Sequence, residues 1–306
     1  MNRRQFLEAG LLGSCATLLP HGVRARSAAL ASVRLSSALT LTSGAGGNVV
    51  TLQGPEGVLM VDGGGAEHSA TLLMHVLAES QAPRVHTLFN THWHYEHTGS
   101  NEALGKAGAR IVAHENTKLW LGGDFYVEWQ DRYYKPRPRA ALPTETFYTG
   151  GGNLTFGGER IEYGHLPRAH TDGDIYVFFR NANVLVAGGV LSAGQYPVLD
   201  YSTGGWIGGM IAANATLLKL ANVETRIVPA EGPIQGRADL QAQHDMLVAV
   251  KERLVTMMKK GLGPQDMLDA KATDGFDSTW GDPGLFVRNA YRGMWAHVFM
   301  LGAGIV

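Results

Sequence analysis

Three histidines and a glutamate lie within six consecutive residues, a pattern that suits metal binding. The segment His92-Trp93-His94-Tyr95-Glu96-His97 follows a predicted buried strand, Val85 to Phe89. Such a strand would bring the segment to a sheet edge, where imidazoles two residues apart on a loop can converge on one ion. Neutral imidazole and carboxylate oxygen suit zinc, iron or manganese. The alternative, a polar start of a helix, explains this density of ligand-type side chains poorly.

At these residues the chain resembles the metallo-β-lactamase superfamily, whose signature is His-x-His-x-Asp-His after a strand. Four further blocks carry the resemblance, which extends from about Asn48 to Leu240. They are Val61-Asp62-Gly63-Gly64, His170-Thr171-Asp172-Gly173-Asp174, Val184-Leu185-Val186-Ala187-Gly188-Gly189 and Val228-Pro229-Ala230-Glu231-Gly232-Pro233. The resemblance implies an α/β fold, a four-layer αββα sandwich, with a first metal site formed by His92, His94 and His170. Zn²⁺ is the expected ion, and Fe or Mn is possible.

The second metal site of the resemblance is altered in this chain. Glu96 stands where the family has Asp, Gly189 replaces the bridging carboxylate, and Glu231 replaces a histidine, whereas His97 is unchanged. The two glutamates keep the usual count of two carboxylates, so Glu96, His97 and Glu231 could hold a second ion. A glycine cannot bridge two ions, however, and one tightly bound ion or a metal-free relic are the alternatives.

If one ion is bound, Glu96 is expected to act as the general base on a water that the ion activates. Glu96 and His170 are then the predicted catalytic residues. Asp62 is expected to orient a ligating histidine, or else to be a turn carboxylate before three glycines. Asp174 is expected to hold the loop after His170.

Residues 120–150 are interpreted as an insertion that covers the metal cleft like a lid. The segment is rich in aromatic and basic side chains, which would suit an aromatic, anionic substrate. These are Trp120, Phe125, Tyr126, Trp129, Tyr133, Tyr134, Phe147 and Tyr148, with Arg132, Lys135, Arg137 and Arg139. A dimer contact or a small separate core is the alternative. Tyr95 could face the cleft or pack under the loop, and Trp206 is expected to line or support the same face.

Strands and helices follow one another in an order that fits two stacked sheets with helices outside. Two predicted strands, Asn48 to Leu52 and Gly57 to Val61, flank the hairpin signal Gly54 to Gly57, and a second hairpin is predicted for Leu154 to Tyr163. An amphipathic helix is predicted from Arg237 to Lys260. Residues 31–306 therefore form a single predicted domain, with C-terminal helices in 237–300.

Residues 1–30 have the layout of an export signal. Arg3-Arg4 precedes a short apolar stretch, and the paired arginines resemble a twin-arginine signal. The expected location is periplasmic. Cys15 also lies in a loose lipobox, so a lipid anchor at Cys15 is an alternative. Cys15 is the one cysteine of the chain. In either case, therefore, the mature chain would have no thiol ligand within its fold.

Composition excludes several classes of function. The 306 residues are 45% hydrophobic, which is enough for a large core, and the formal net charge of −1 argues against nucleic acid as the main partner. No apolar run is long enough to span a bilayer.

The sequence thus predicts a metal-dependent hydrolase acting on a small molecule with an ester, lactone, thioester or amide bond, which could be a β-lactam. An iron-dependent oxidoreductase or lyase on the same fold and a non-catalytic binding module are the rival hypotheses. The oligomeric state is left open.

Overall fold

The computed structural model describes residues 29–301, and the side chains of residues 29–297 within that range. Most of the predicted export signal, including Arg3, Arg4 and Cys15, therefore lies outside the described residues.

The described residues form fourteen strands. They are β1 Ala31–Arg34, β2 Leu39–Ser43, β3 Val49–Gly54, β4 Gly57–Val61, β5 Val85–Phe89, β6 Arg110–His114, β7 Phe125–Val127, β8 Arg132–Tyr134, β9 Glu145–Phe147, β10 Gly151–Phe156, β11 Glu159–His165, β12 Ile175–Phe179, β13 Val184–Gly188 and β14 Arg226–Pro229.

Helices lie between and after these strands. They are α1 Ser69–Ser80, α2 Tyr95–Thr98, α3 Asn101–Lys106, α4 Glu115–Gly122, α5 Ile207–Leu220, α6 Arg237–Lys259, α7 Pro264–Asp269, α8 Asp277–Trp280 and α9 Gly284–Leu301. Within this described range, no helix is both long and apolar enough to cross a membrane.

Two large sheets form the centre of the molecule. One contains seven strands in the order β1-β2-β3-β4-β5-β6-β9, and the other contains β10 to β14 in sequence order. Strands β4, β5, β6 and β9 run parallel, as do β13 and β14. The carboxyl ends of parallel strands lie at one edge of each sheet, and these two edges meet. Thr91 after β5 bonds Asp62 after β4, and it also lies against Gly188 at the end of β13.

Alternation of buried side chains along the strands builds the layers. In β4, Leu59 and Val61 belong to the core between the sheets, whereas Met60 packs in a second cluster with Leu72 of α1. The third large cluster joins the other face of the five-stranded sheet to α5, α6 and α9. Since successive side chains point to opposite faces of a strand, the order is helices, sheet, sheet, helices. The predicted αββα sandwich is confirmed.

The segment predicted as a lid, 120–150, contains two different structures. Strands β7 and β8 form a separate two-stranded hairpin, named here the lid hairpin (Phe125–Tyr134), while β9 joins the seven-stranded sheet beside β6. Several aromatics of the segment pack in a small cluster around the buried Trp93. The small separate core weighed as an alternative to the lid is thus present beneath the hairpin.

Candidate metal centre

His92, His94 and His170 converge at the sheet edge formed by the strand ends. The first two follow β5, and the third lies in the loop before β12. All three are buried, and one ligand nitrogen from each lies within 4.8 Å of the other two. In the part of the chain that the structure describes, no other group of histidine, cysteine or acidic side chains meets this condition.

Each of the three rings has one nitrogen held by a hydrogen bond and one nitrogen left for a ligand. The partners are the Thr91 hydroxyl for His92 Nδ1 (2.9 Å), the Asp200 carboxylate for His94 Nε2 (3.0 Å) and the Val198 carbonyl oxygen for His170 Nδ1 (2.8 Å). These bonds leave Nε2 of His92, Nδ1 of His94 and Nε2 of His170 for an ion. Such outer hydrogen bonds fix the tautomer and orientation of metal-binding imidazoles.

The donor set fits a divalent ion. His94 Nδ1 and His170 Nε2 are 3.1 Å apart, and two nitrogens bound at 2.0–2.1 Å in tetrahedral geometry lie about 3.3 Å apart. Burial, reinforced by the neighbouring imidazoles, lowers the pKa of His170 to about 4 and that of His92 well below its usual value. These rings are therefore neutral, which is the form that coordinates a metal. His92, His94 and His170 could form a metal site.

Asp62 lies behind the site and reaches His92 through a hydroxyl group. It accepts hydrogen bonds from the Thr91 amide (2.8 Å) and the Thr91 hydroxyl (2.7 Å), and that hydroxyl in turn accepts from His92 Nδ1. Burial raises the pKa of Asp62 to about 7, against the opposing effect of the two hydrogen bonds. The contact with the ligating histidine is thus indirect, and Asp62 Oδ2 is also 3.7 Å from His97 Nδ1.

Asp174 holds the loop that carries His170. Its carboxylate accepts from the amides of His170 (2.8 Å) and Thr171 (2.9 Å) and from the Thr171 hydroxyl (2.8 Å). Burial raises the pKa of Asp174 to about 7.

The residues predicted for a second ion are held less firmly. Nδ1 of the buried His97 has no hydrogen-bond partner, and burial lowers the pKa of this ring to about 3. The Glu96 side chain is 45% exposed and lies 3.8 Å from the Arg132 guanidinium. Partial burial and the nearby charge of Glu96 raise the pKa of Glu231. Glu96, His97 and Glu231 line the same cleft, but no three-ligand group of described residues includes them.

Gly189 directly follows β13 and lies beside the His170 ring. A Cβ atom at this position would lie 2.3 Å from Cδ2 of His170, which is closer than side chains approach one another. The His170 ring therefore occupies the space that a side chain at 189 would need, and a bridging carboxylate does not fit there while His170 is in place.

The three imidazoles open onto a cavity of about 270 Å³. Its remaining walls come from both sheets and the lid hairpin. The lining residues are His92, His94, Glu96, His97, Trp129, Gln130, His170, Gly189, Leu191, Ser192, Gln195, Val198, Ala230 and Glu231. Among the described residues, no lysine or arginine lines this cavity, although Arg132 lies beside Glu96.

A sequence profile of the metallo-beta-lactamase superfamily matches residues 43–238, which is more than half of the chain and contains every block described above. The chain belongs to this superfamily. The metallo-beta-lactamase superfamily consists mostly of metal-dependent hydrolases and typically binds divalent ions, commonly Zn²⁺.

Solved structures agree on the fold. The metallo-beta-lactamase from Pontibacter korlensis is 19% identical, with a TM-score of 0.57 over 72% of this chain and 99% of its own. DIM-1 metallo-beta-lactamase is 16% identical, with a TM-score of 0.56 over 72% of this chain and 97% of its own. The sec-alkylsulfatase Pisa1 from Pseudomonas sp. is 13% identical, with a TM-score of 0.67 over 90% of this chain and 51% of its own. Among curated protein sequences, none matches the chain.

Two aromatic residues predicted at the metallo-beta-lactamase-type cleft do not line its cavity. The Tyr95 hydroxyl donates to the carbonyl oxygen of Lys135, and its ring packs against Tyr134. Trp206 stacks on His297 with ring centroids 3.6 Å apart and lines a separate cavity of about 180 Å³. Both side chains support neighbouring segments instead: Tyr95 lies beneath the lid hairpin, and Trp206 packs against α9.

Two residues of the site were not singled out from the sequence. The Asp200 carboxylate is hydrogen-bonded to His94 Nε2, and Trp129 of the lid hairpin donates its indole N–H to the same carboxylate at 2.8 Å. Trp129 stood out only as one of eight aromatics in its segment, and Asp200 lies in no block of the superfamily resemblance. No local pattern links positions 71 residues apart.

Proposed function

We propose that the chain is a metal-dependent hydrolase that holds one divalent ion on His92, His94 and His170. The observation that carries this proposal is the convergence of three buried imidazoles, each with one nitrogen facing the others and its second nitrogen already hydrogen-bonded. Zinc is the expected ion, with iron or manganese as alternatives. Such an ion, when bound, would supply a nucleophile at neutral pH and polarise the bond to be cleaved.

The protein's own residues divide the remaining work. Glu96 lines the cavity beside the imidazoles, and we propose that its carboxylate accepts a proton from the attacking water. Glu231 lines the same cavity and faces the charge of Glu96. Asp62, through Thr91, and Asp174 keep His92 and His170 in the orientation that the ion requires.

The substrate is proposed to be a small molecule with an ester, lactone, thioester or amide bond. A β-lactam belongs to this range. Sulfate esters join it because an alkylsulfatase shares the fold over most of this chain. An anionic substrate, such as a sulfate ester, stays a prediction. Glu96 and Glu231 line the cavity, so the positive charge that attracts an anion would have to come from the bound ion.

Export to the periplasm through the twin-arginine route is part of the proposal and rests on Arg3 and Arg4. Replacement of both by lysine is expected to keep the protein in the cytoplasm, as measured by cell fractionation.

The deciding experiment compares metal-stripped protein with protein reloaded with Zn²⁺, Fe²⁺ or Mn²⁺. Both are assayed on aryl esters, lactones, thioesters, sulfate esters and β-lactams. Hydrolysis of at least one class that disappears on stripping and returns on reloading is expected. Hydrolysis that is independent of metal, or none from fully loaded protein, would contradict the proposal.

The role of Glu96 is tested in the same assay. Glu96→Gln should lower turnover on the order of 10²- to 10⁴-fold, the usual contribution of a positioned base, while the metal content stays that of the wild type. Glu102→Gln, which alters an exposed pair with Lys106, is the matched control and should leave turnover unchanged.

A further inference from the structure

The lid hairpin and a metal ligand are hydrogen-bonded to the same buried carboxylate. Asp200 Oδ1 accepts the indole N–H of Trp129 at 2.8 Å, and Oδ2 accepts from His94 Nε2 at 3.0 Å and from the Thr203 hydroxyl at 2.6 Å. Asp200 is fully buried. Each of its oxygens thus has a defined donor, and two of these donors come from different elements: His94 lies after β5, and Trp129 lies in the lid hairpin.

The turn of the lid hairpin rests on the segment that contains Asp200. Trp129 lies in this turn, and its neighbour Glu128 donates its amide to the Ser202 hydroxyl at 3.3 Å and pairs with Arg292 at 3.2 Å. Trp129 also lines the cavity above the imidazoles. A substrate that displaces this indole would therefore take a hydrogen-bond donor away from Asp200.

Loss of that donor has a physical consequence for His94. A buried carboxylate left with an unsatisfied oxygen turns toward its remaining donors or admits water, and either change alters the hydrogen bond that orients the His94 ring. Partners of this kind typically change metal affinity by about 10- to 100-fold when they are lost.

We propose that Asp200 couples the position of the lid hairpin to the metal ligand His94, so that Trp129 is a positioning residue of the metal centre as well as a wall of the cleft. This inference rests on the metal site of the proposed function. The coupling itself is measured by metal affinity, so its test requires no substrate. Because coupling between two sites is reciprocal, metal loading should also hold the hairpin more firmly on Asp200.

The chain offers a matched control for this coupling. Trp120, nine residues before Trp129 and at the start of the same segment, donates its indole N–H to Asp172 Oδ1 at 2.7 Å. Both pairs join a half-buried tryptophan to a carboxylate. No hydrogen bond found in residues 29–297 joins the Asp172 carboxylate to a side chain of the three imidazole ligands, so only the Trp129 pair reaches a metal ligand.

The experiment compares Trp129→Phe with Trp120→Phe, since each substitution removes the N–H group and keeps a ring. Zn²⁺ affinity is measured by competition with a chromophoric chelator, and the visible spectrum of the Co²⁺-loaded protein reports the geometry at the ion. Trp129→Phe should weaken Zn²⁺ binding by about tenfold and shift the Co²⁺ bands. Trp120→Phe should leave both unchanged, and circular dichroism checks that both variants are folded.

Asp200→Asn provides a second, independent variant that keeps the shape of the side chain. It should weaken Zn²⁺ binding at least as much as Trp129→Phe, and in the double variant the effects should be less than additive because the two groups share one path. Hydrogen exchange of residues 125–134 should slow on Zn²⁺ loading in the wild type and not in Asp200→Asn.

Three results would overturn the proposal. If Trp129→Phe keeps the wild-type Zn²⁺ affinity, the indole hydrogen bond only holds the hairpin in place. If Trp129→Phe and Trp120→Phe lose equal Zn²⁺ affinity, the loss reflects a general disturbance of the segment. Strictly additive effects in the double variant would mean that Trp129 acts independently of Asp200. In all three cases the proposed function stands, whereas wild-type protein that binds no Zn²⁺, Co²⁺, Fe²⁺ or Mn²⁺ would remove both proposals.

Discussion

The two halves of the cleft differ in how firmly their side chains are held. On one side, His92, His94 and His170 each have one nitrogen fixed by a hydrogen bond. On the other side, Nδ1 of His97 has no hydrogen-bond partner and the Glu96 carboxylate is half exposed.

The difference indicates which half is organised before an ion arrives. Ligands that are already oriented lose little conformational freedom on binding, so the half with His92, His94 and His170 should bind an ion tightly. The other half lacks both the orienting bonds and the space for a bridging group at Gly189. It is better suited to touching a substrate or moving a proton than to holding a second ion.

The largest expected effect comes from removing a ligand of the organised half. His170→Ala should abolish metal retention and activity together, because two imidazoles remain for the ion and outer groups cannot replace a direct bond. Metal content per chain, measured after dialysis, is the check. His244→Ala, whose ring bonds only the neighbouring Asp245 among described residues, is the control, and a His170→Ala protein with full metal content would refute the site.

The next largest effect on metal binding is expected from a small substitution beside His170, Gly189→Ala. Gly189→Ala places a Cβ where the His170 ring lies, so the ring must shift and Zn²⁺ affinity should fall by about 10- to 100-fold, as for a lost supporting partner. Gly122→Ala is the matched control, since its Cβ would meet Leu142 at an ordinary 3.8 Å. Equal metal affinity in the two variants would show that the space at 189 is not what places His170.

The hydrogen bonds behind the organised half are tested by Thr91→Val. The substitution removes the hydroxyl between Asp62 and His92, which should weaken Zn²⁺ binding by about tenfold and cost roughly 1–3 kcal/mol of unfolding free energy for the unsatisfied carboxylate. Chelator competition and urea unfolding measure the two effects. The control is Thr87→Val, which removes a similar contact between a hydroxyl and an imidazole, that of His86, and should leave metal affinity unchanged. A loss of affinity in Thr87→Val as large as in Thr91→Val would argue that the hydrogen bonds from Asp62 through Thr91 do not orient His92.

The smallest effect on metal is expected in the other half. Glu231→Gln removes a carboxylate from the cleft, yet the number of ions per chain should stay at one because the three imidazoles do not depend on it. Metal content by mass spectrometry of the native protein decides the matter. A fall from two ions to one would instead establish a second site that includes Glu231.

Much of the fold follows from local pattern. The strand predicted for Val85 to Phe89 coincides with β5, and the amphipathic helix predicted from Arg237 to Lys260 ends one residue earlier, at Lys259. Such patterns are reliable because burial requires apolar residues every second position in a strand and every third or fourth in a helix. The lid segment was harder, since its prolines and scattered aromatics have neither period, and the strand β9 within it was not foreseen.

The sequence by itself determined the ligand types and their grouping. Two histidines two residues apart after a strand, and a third at the start of a recognisable block, were enough to indicate a metal centre and the superfamily. Only the tertiary structure decided which nitrogen of each ring is free, that Gly189 leaves room for the His170 ring, and that Trp129 and Asp200 meet beside His94. The physical reason is that a hydrogen bond between residues 71 positions apart depends on how the lid hairpin and the loop after β13 are packed, and no local preference of either segment encodes that contact.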